Sequence, residues 1–126
     1  MKMANLSALQ SYVESLLRTR SDDGAFLIVT LSGTEDFLQL VGDAAGVQLD
    51  FPLVTARQLS FEAAFRAVAS REGLVIAELE EGDSRFLNID LSPEPAEVTR
   101  VTKIFLQDVF RVNTATNLEF ELEGVE

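Results

Sequence analysis

The chain contains no cysteine, no histidine and no tryptophan. Those zeros exclude disulfide frameworks, thiol nucleophiles, zinc sites built on Cys or His, and every Ser-His or Cys-His catalytic arrangement. Acid–base chemistry near neutral pH would rest on displaced carboxylates, on Lys2 and Lys103, or on Tyr12, the single tyrosine. Basic residues are scarce, 10 against 21 acidic ones, for a formal net charge of −11. So acidic a chain lacks the basic surface that grips a phosphate backbone, and the same excess disfavours an anionic membrane surface. Apolar runs do not exceed about five residues, far short of the roughly 20 that span a bilayer. The opening MKMANLSALQ has one lysine and then amphipathic spacing, unlike a secretory signal. These absences predict a cytoplasmic, non-catalytic binding protein without a cofactor or metal, and with neither nucleic acid nor membrane as partner.

What is present fits one domain over residues 1–126. Hydrophobic residues make up 47% and charged ones 25%, a globular balance. Leu6, Leu9, Val13, Leu16 and Leu17 follow helical spacing, which predicts a first helix over 5–20, stopped by Ser21-Asp22-Asp23-Gly24. Phe26–Leu31 is apolar on both faces, as in a central strand covered on both sides. Asp36–Val41 and Val47–Phe51 continue an antiparallel meander that Pro52 should close. Thr55 and Gln58 form a capping box for a helix over 56–72, with Gly73 as its left-handed cap. Glu81-Gly82-Asp83-Ser84 joins a hairpin of 74–80 and 85–91. Ser92-Pro93 reads as the start of a third helix, striped by Val98, Val101, Phe105 and Val109. Leu118, Phe120 and Leu122 alternate with Glu119, Glu121 and Glu123 in a last strand. The order α-βββ-α-ββ-α plus a C-terminal strand predicts an α+β fold, an antiparallel sheet with packed helices.

Few residues offer chemistry. Asp22-Asp23-Gly24 lacks calcium-loop spacing and reads as a helix stop. Glu78, Glu80, Glu81 and Asp83 read as a solvated hairpin tip before they read as a cation site. Glu119, Glu121 and Glu123 should lie on a wet face of an edge strand, or meet Arg100 or Arg111. No glycine pattern cradles phosphate. The third helix, by contrast, adds Ile104, Leu106 and Phe110 to its stripe, an apolar arc wider than a single sheet contact needs. That excess predicts an interface, most simply a two-fold homodimer.

The element order, the acidity and the segment DFLQLVGDAAGVQLDF (Asp36–Phe51) resemble the class I type III secretion chaperones and the wider superfamily of YbjN-like, or TY-Chap, peptide-binding chaperone domains. Gln39, Gly42 and Gly46 carry the resemblance, which covers about residues 5–112. It implies a dimeric, non-catalytic holdase for an extended or partly unfolded segment of a partner. Under it, Leu9, Val13, Leu16, Phe37 and Leu49 are the expected peptide groove, and Val101, Phe105 and Val109 the expected dimer surface. The competing reading is a small acidic immunity, inhibitor or regulatory subunit that binds through its negative surface. A carboxylate-only, metal-dependent enzyme has no well-spaced constellation to support it.

Overall fold

The computed structural model describes residues 2–19, 24–43 and 46–124. In chain order it has β1 (Lys2–Ala4), a 3-10 turn (Leu6–Ala8), α1 (Leu9–Thr19), β2 (Ala25–Leu31), β3 (Phe37–Asp43), β4 (Gly46–Leu53) and α2 (Ala56–Ser60). These are followed by α3 (Glu62–Arg71), β5 (Ala77–Glu81), β6 (Ser84–Leu91), α4 (Pro95–Asp108) and β7 (Leu118–Glu123). The fold is α+β. One seven-stranded sheet runs β1-β7-β2-β3-β4-β6-β5, and every described pair is antiparallel.

Local chemistry sets most boundaries. Asn5 accepts the Ser7 backbone N–H at 3.0 Å and caps the 3-10 turn that leads into α1. The regular helix therefore starts at residue 9 rather than 5, and residues 2–4 form β1, which the apolar pattern did not predict. The capping box at Thr55 is complete, its hydroxyl accepting from Gln58 N–H while the Gln58 side chain accepts from the Thr55 N–H. The helix expected over 56–72 breaks at Phe61, whose ring turns edge-on to Phe110. Gly73 takes φ +69°, and the Leu74 N–H closes the end of α3 on the Ala69 carbonyl at 2.8 Å. The last helix begins two residues later than Ser92-Pro93 indicates. Pro95 holds Glu94 extended (φ −107°, ψ 128°), so the first helical residue is Pro95 itself.

Register sorts the strands into two faces. Leu27 lies level with Leu40 and Leu122, Leu40 with Leu49, and Leu49 with Ile89. The next row brings Phe120, Val29 and Leu38 together, with Phe51 beside Leu87. All of these except the half-buried Leu122 are fully buried under the helices. Phe65 of α3 sits between Phe51 (5.0 Å) and Phe105 of α4 (4.6 Å), and Tyr12 of α1 stacks on Phe120 at 4.5 Å. One cluster holds these contacts together, and burying it supplies most of the drive to fold.

Three sequence expectations change here. β7 is an interior strand between β1 and β2, not an edge. Pro52 does not close β4. It lies inside the strand opposite Phe86, beyond the last β3–β4 pair at Gln39–Asp50, where its missing N–H breaks no described β3 pairing. The second face of β2 also differs. Phe26, Ile28 and Thr30 are only half-buried, and neither Phe26 nor Ile28 joins the core cluster.

The chain exposes 6775 Å², close to the roughly 6,700 Å² expected of a closed monomer of this mass. No helix among the described residues is long and apolar enough to cross a membrane.

Candidate functional site

The eight residues expected to form a groove and a dimer surface do not form either. Leu9, Val13, Leu16 and Leu49 are 0% exposed and lie inside the core. Phe37 is on the opposite face of the sheet, outside that cluster. Val101, Phe105 and Val109 are 1%, 0% and 4% exposed. The wide apolar arc of α4 has an internal cause. This helix packs on the sheet, on α1 and on α3 at once, and three neighbours need a broader stripe than one. No oily surface is left over on it for a second copy.

The uncovered surface is the other face of the sheet. Alternation assigns to it Phe26, Ile28 and Thr30 of β2, Phe37, Gln39 and Val41 of β3, and Gln48, Asp50 and Pro52 of β4. Phe86, Asn88 and Asp90 of β6 follow by pairing, then Ala77, Leu79 and Glu81 of β5. At the far side stand Glu119, Glu121 and Glu123 of β7. Phe26, Ile28, Phe37, Val41 and Phe86 are half-buried by one another and by their polar neighbours, with no contact to the core cluster. The patch ends at β5, which pairs with β6 alone and leaves Leu79 45% exposed; Val75, just before the strand, is 83% exposed.

Charge divides the same way. On the helix side Asp36, Glu62, Glu72, Glu78, Glu97 and Asp108 each meet an arginine, whereas Glu14, Glu80 and Glu94 have no ion pair among the described residues. Asp36, 6% exposed, receives a fork from Arg57 at 2.7 and 2.8 Å, and that guanidinium also covers the Phe61 ring. Glu62 and Glu78 share Arg66 and Arg85, tying α3 to the β5–β6 hairpin, so Glu78 is part of a network and not simply a solvated tip. Hydrogen bonds from Arg66 and then Arg85 hold the Glu62 carboxyl below its ordinary range. Glu72 bridges Arg71 and Arg100, which bind Asp108 and Glu97 in turn. Arg100 is thus committed to α3 and its own helix, not to the glutamates of β7.

The open face has no such neutralisation. Its strand positions carry six carboxylates (Asp50, Glu81, Asp90, Glu119, Glu121, Glu123) and no lysine or arginine among the described residues. Asp90 accepts only an amide hydrogen bond from Gln48, at 2.9 Å. Asp50 stands between Gln39 and Asn88 in its row, and burial, reinforced by the charge of Glu81, pushes its carboxyl up to about 6. Beside it the Asn88 Oδ1 is buried without a hydrogen-bond donor. Two acceptors therefore share the middle of the face.

A shallow cleft of about 350 Å³ lies elsewhere, along α1 and the end of β7, lined by Ser11, Tyr12, Glu14, Ser15, Arg18 and Leu122. Its polar wall is a helix flank on which Arg18 donates to Ser15. Among the described residues no group of acids is arranged to hold a metal ion, and Asp22 and Asp23 lie outside them. Of the positions carrying the chaperone resemblance, Gln39 is on the open face, Gly42 is buried opposite Ala25, and Gly46 opens β4.

No family model, characterised protein or solved structure matches the chain. The residue pattern that marks the open face was present in the sequence all the same. Gln39, Gln48, Asp50, Asn88 and Asp90 are the polar alternates of three neighbouring strands, and once those strands are paired they fall on one side.

Proposed function

We propose that the chain is a non-catalytic protein-binding domain that holds an extended or partly unfolded segment of a partner, in the manner implied by its resemblance to the type III secretion and YbjN-like chaperones. One observation carries this reading: a row of half-buried aromatic and aliphatic side chains occupies a sheet face that no helix covers, and runs out to an unpaired strand edge. Unfolded segments present apolar side chains and unpaired backbone groups, and such a face with such an edge meets both needs. The acidic surface elsewhere keeps a loaded complex soluble. The holding surface is thus Phe37 with Phe26, Ile28, Val41, Phe86 and Leu79, not the α1 groove. Val101, Phe105 and Val109 are buried within the chain, so this reading needs no homodimer through α4.

The test is aggregation suppression of a chemically unfolded test protein, alongside light scattering. Phe37→Glu with Phe86→Glu should fold, as both sites are on the open face, and should lose at least about tenfold in holding capacity. Unchanged capacity in the double variant would refute the assignment. A second reading, an acidic subunit capturing a basic partner by charge alone, is favoured by the absence of cations on this face. Repetition near 1 M salt separates the two, since charge-only capture vanishes there and apolar holding persists.

A further inference from the structure

The reading above leaves the chemistry of the held segment open, and the charge pattern of the open face supplies it. We propose that this face selects an apolar segment of another protein that carries several lysines or arginines, with one cation seated in the middle against Asp50 and Asn88. The inference rests on the proposed function and narrows it.

Three observations lead to this occupant. The apolar positions run from Ile28 of β2 through Phe37 of β3 to Phe86 of β6 and Leu79 of β5, over the buried Pro52 of β4. They cross four strand spacings, about 19 Å, the reach of roughly six extended residues. A held segment is thus short enough for its own charges to fall close to this patch. Those charges must be positive. Glu119, Glu121 and Glu123 border the row on one side, Glu81 and Asp90 lie toward the other, Asp50 is in the centre, and no cation of this chain offsets any of them among the described residues. Like charges crowded on one sheet face cost free energy until something neutralises them. Elsewhere in the chain, five arginines do that for six acids of the helix side. The third observation is the orphan acceptor. Asn88 Oδ1 has no donor and sits beside Asp50, itself half withdrawn from water. An ammonium or guanidinium would neutralise Asp50 and, with a turn of the Asn88 side chain, give its buried Oδ1 a donor, and covering by the segment would strengthen that contact by excluding water.

A second copy of this chain is the wrong occupant. Two such faces brought together would set six carboxylates against six, on chains of net charge −11. A bare divalent ion is disfavoured as well, since among the described residues no three acids converge to hold one.

The experiment uses the full chain and synthetic 12-residue peptides of alternating leucine and lysine, with matched leucine–glutamate and leucine–glutamine peptides. Binding is followed by titration calorimetry and mapped by backbone amide shifts. Lysine peptides should bind at least about tenfold tighter than glutamine peptides and shift amides of β2, β3, β4 and β6. Two triple variants of identical net charge then separate a local site from general attraction. Asp50→Asn with Glu81→Gln and Glu121→Gln should abolish most of the lysine preference. Glu14→Gln with Glu94→Gln and Glu97→Gln, on α1 and at the start of α4, should keep it. Equal loss in both triples, or shifts mapped to α1 and α4, would overturn the inference. If glutamine and lysine peptides bind the open face alike, holding stands and charge selection fails. If no peptide binds, both fail.

Discussion

The two sides of the sheet are made by the same strands, residue by residue in alternation, yet they are finished differently. On the helix side, leucines, phenylalanines and valines disappear into one cluster, and six of the acids around it are matched by arginines. On the open side, comparable apolar side chains stay outside that cluster and only partly buried, and the acids have no ion pair among the described residues. A monomer that closes its core so completely had no need of Phe26, Phe37 or Phe86 on its far side. Where apolar side chains are not spent on the fold, the reason for them lies outside it.

The sharpest way to break this contrast is truncation of one phenylalanine on each side. Phe105→Ala should cost about 3–5 kcal/mol, because the ring is 0% exposed and packed on Phe65. Phe86→Ala should cost far less and lower peptide holding instead. Urea denaturation checks both, and equal costs would erase the difference between the faces. By the same logic Val101→Glu with Phe105→Glu, at positions expected from sequence to lie on a dimer surface, should unfold the chain.

A smaller effect separates matched from unmatched acids. Arg57→Ala strips the fork from Asp36, 6% exposed, and should lower stability by leaving that carboxylate without the Arg57 donors. Glu121→Gln removes an acid without an ion pair among the described residues and should leave stability unchanged or slightly raised. A destabilised Glu121→Gln variant would show that the open-face acids are structural.

The finest distinction is one of pH. Folding raises the Asp50 carboxyl from 3.8 to about 6, first through burial and then through Glu81. A raised carboxyl favours the folded state while protonated, so its contribution is complete below about pH 4 and is lost as the pH climbs through 6. Asp50→Asn should therefore gain on the wild type between pH 4 and 7 and hold a constant advantage above. Midpoints measured at half-unit steps would show it, and a constant difference across that range would contradict it.

Much of this architecture was legible because it is local. The Thr55–Gln58 box and the Gly73 cap are written within a few residues and appear as read; the Gly82 turn and the period-two run of 118–123 are local too, though the first hairpin strand starts at Ala77 rather than 74 and the last strand is interior. What was missed depends on distant chain. No local signal places β7 between β1 and β2, and β1 has only three residues. The α4 stripe was read correctly as excessive for one contact, but sequence could not count its three neighbours. The open face was hidden for a related reason. Phe26 and Ile28 look like core until it is known which side the helices took.

The position of β7 also sets an order of assembly. Its partners are made long before it: β1 and β2 emerge from the ribosome early, and the strand that joins them emerges only after the 86 residues 32–117. Until then β2 has a raw edge and β1 has no neighbour at all. Pairings so far apart in sequence are slow to form. The nascent chain must therefore pass through a stage in which it needs shelter itself, and lengths ending before residue 118 should be markedly more prone to aggregate or be degraded than lengths that include the last strand.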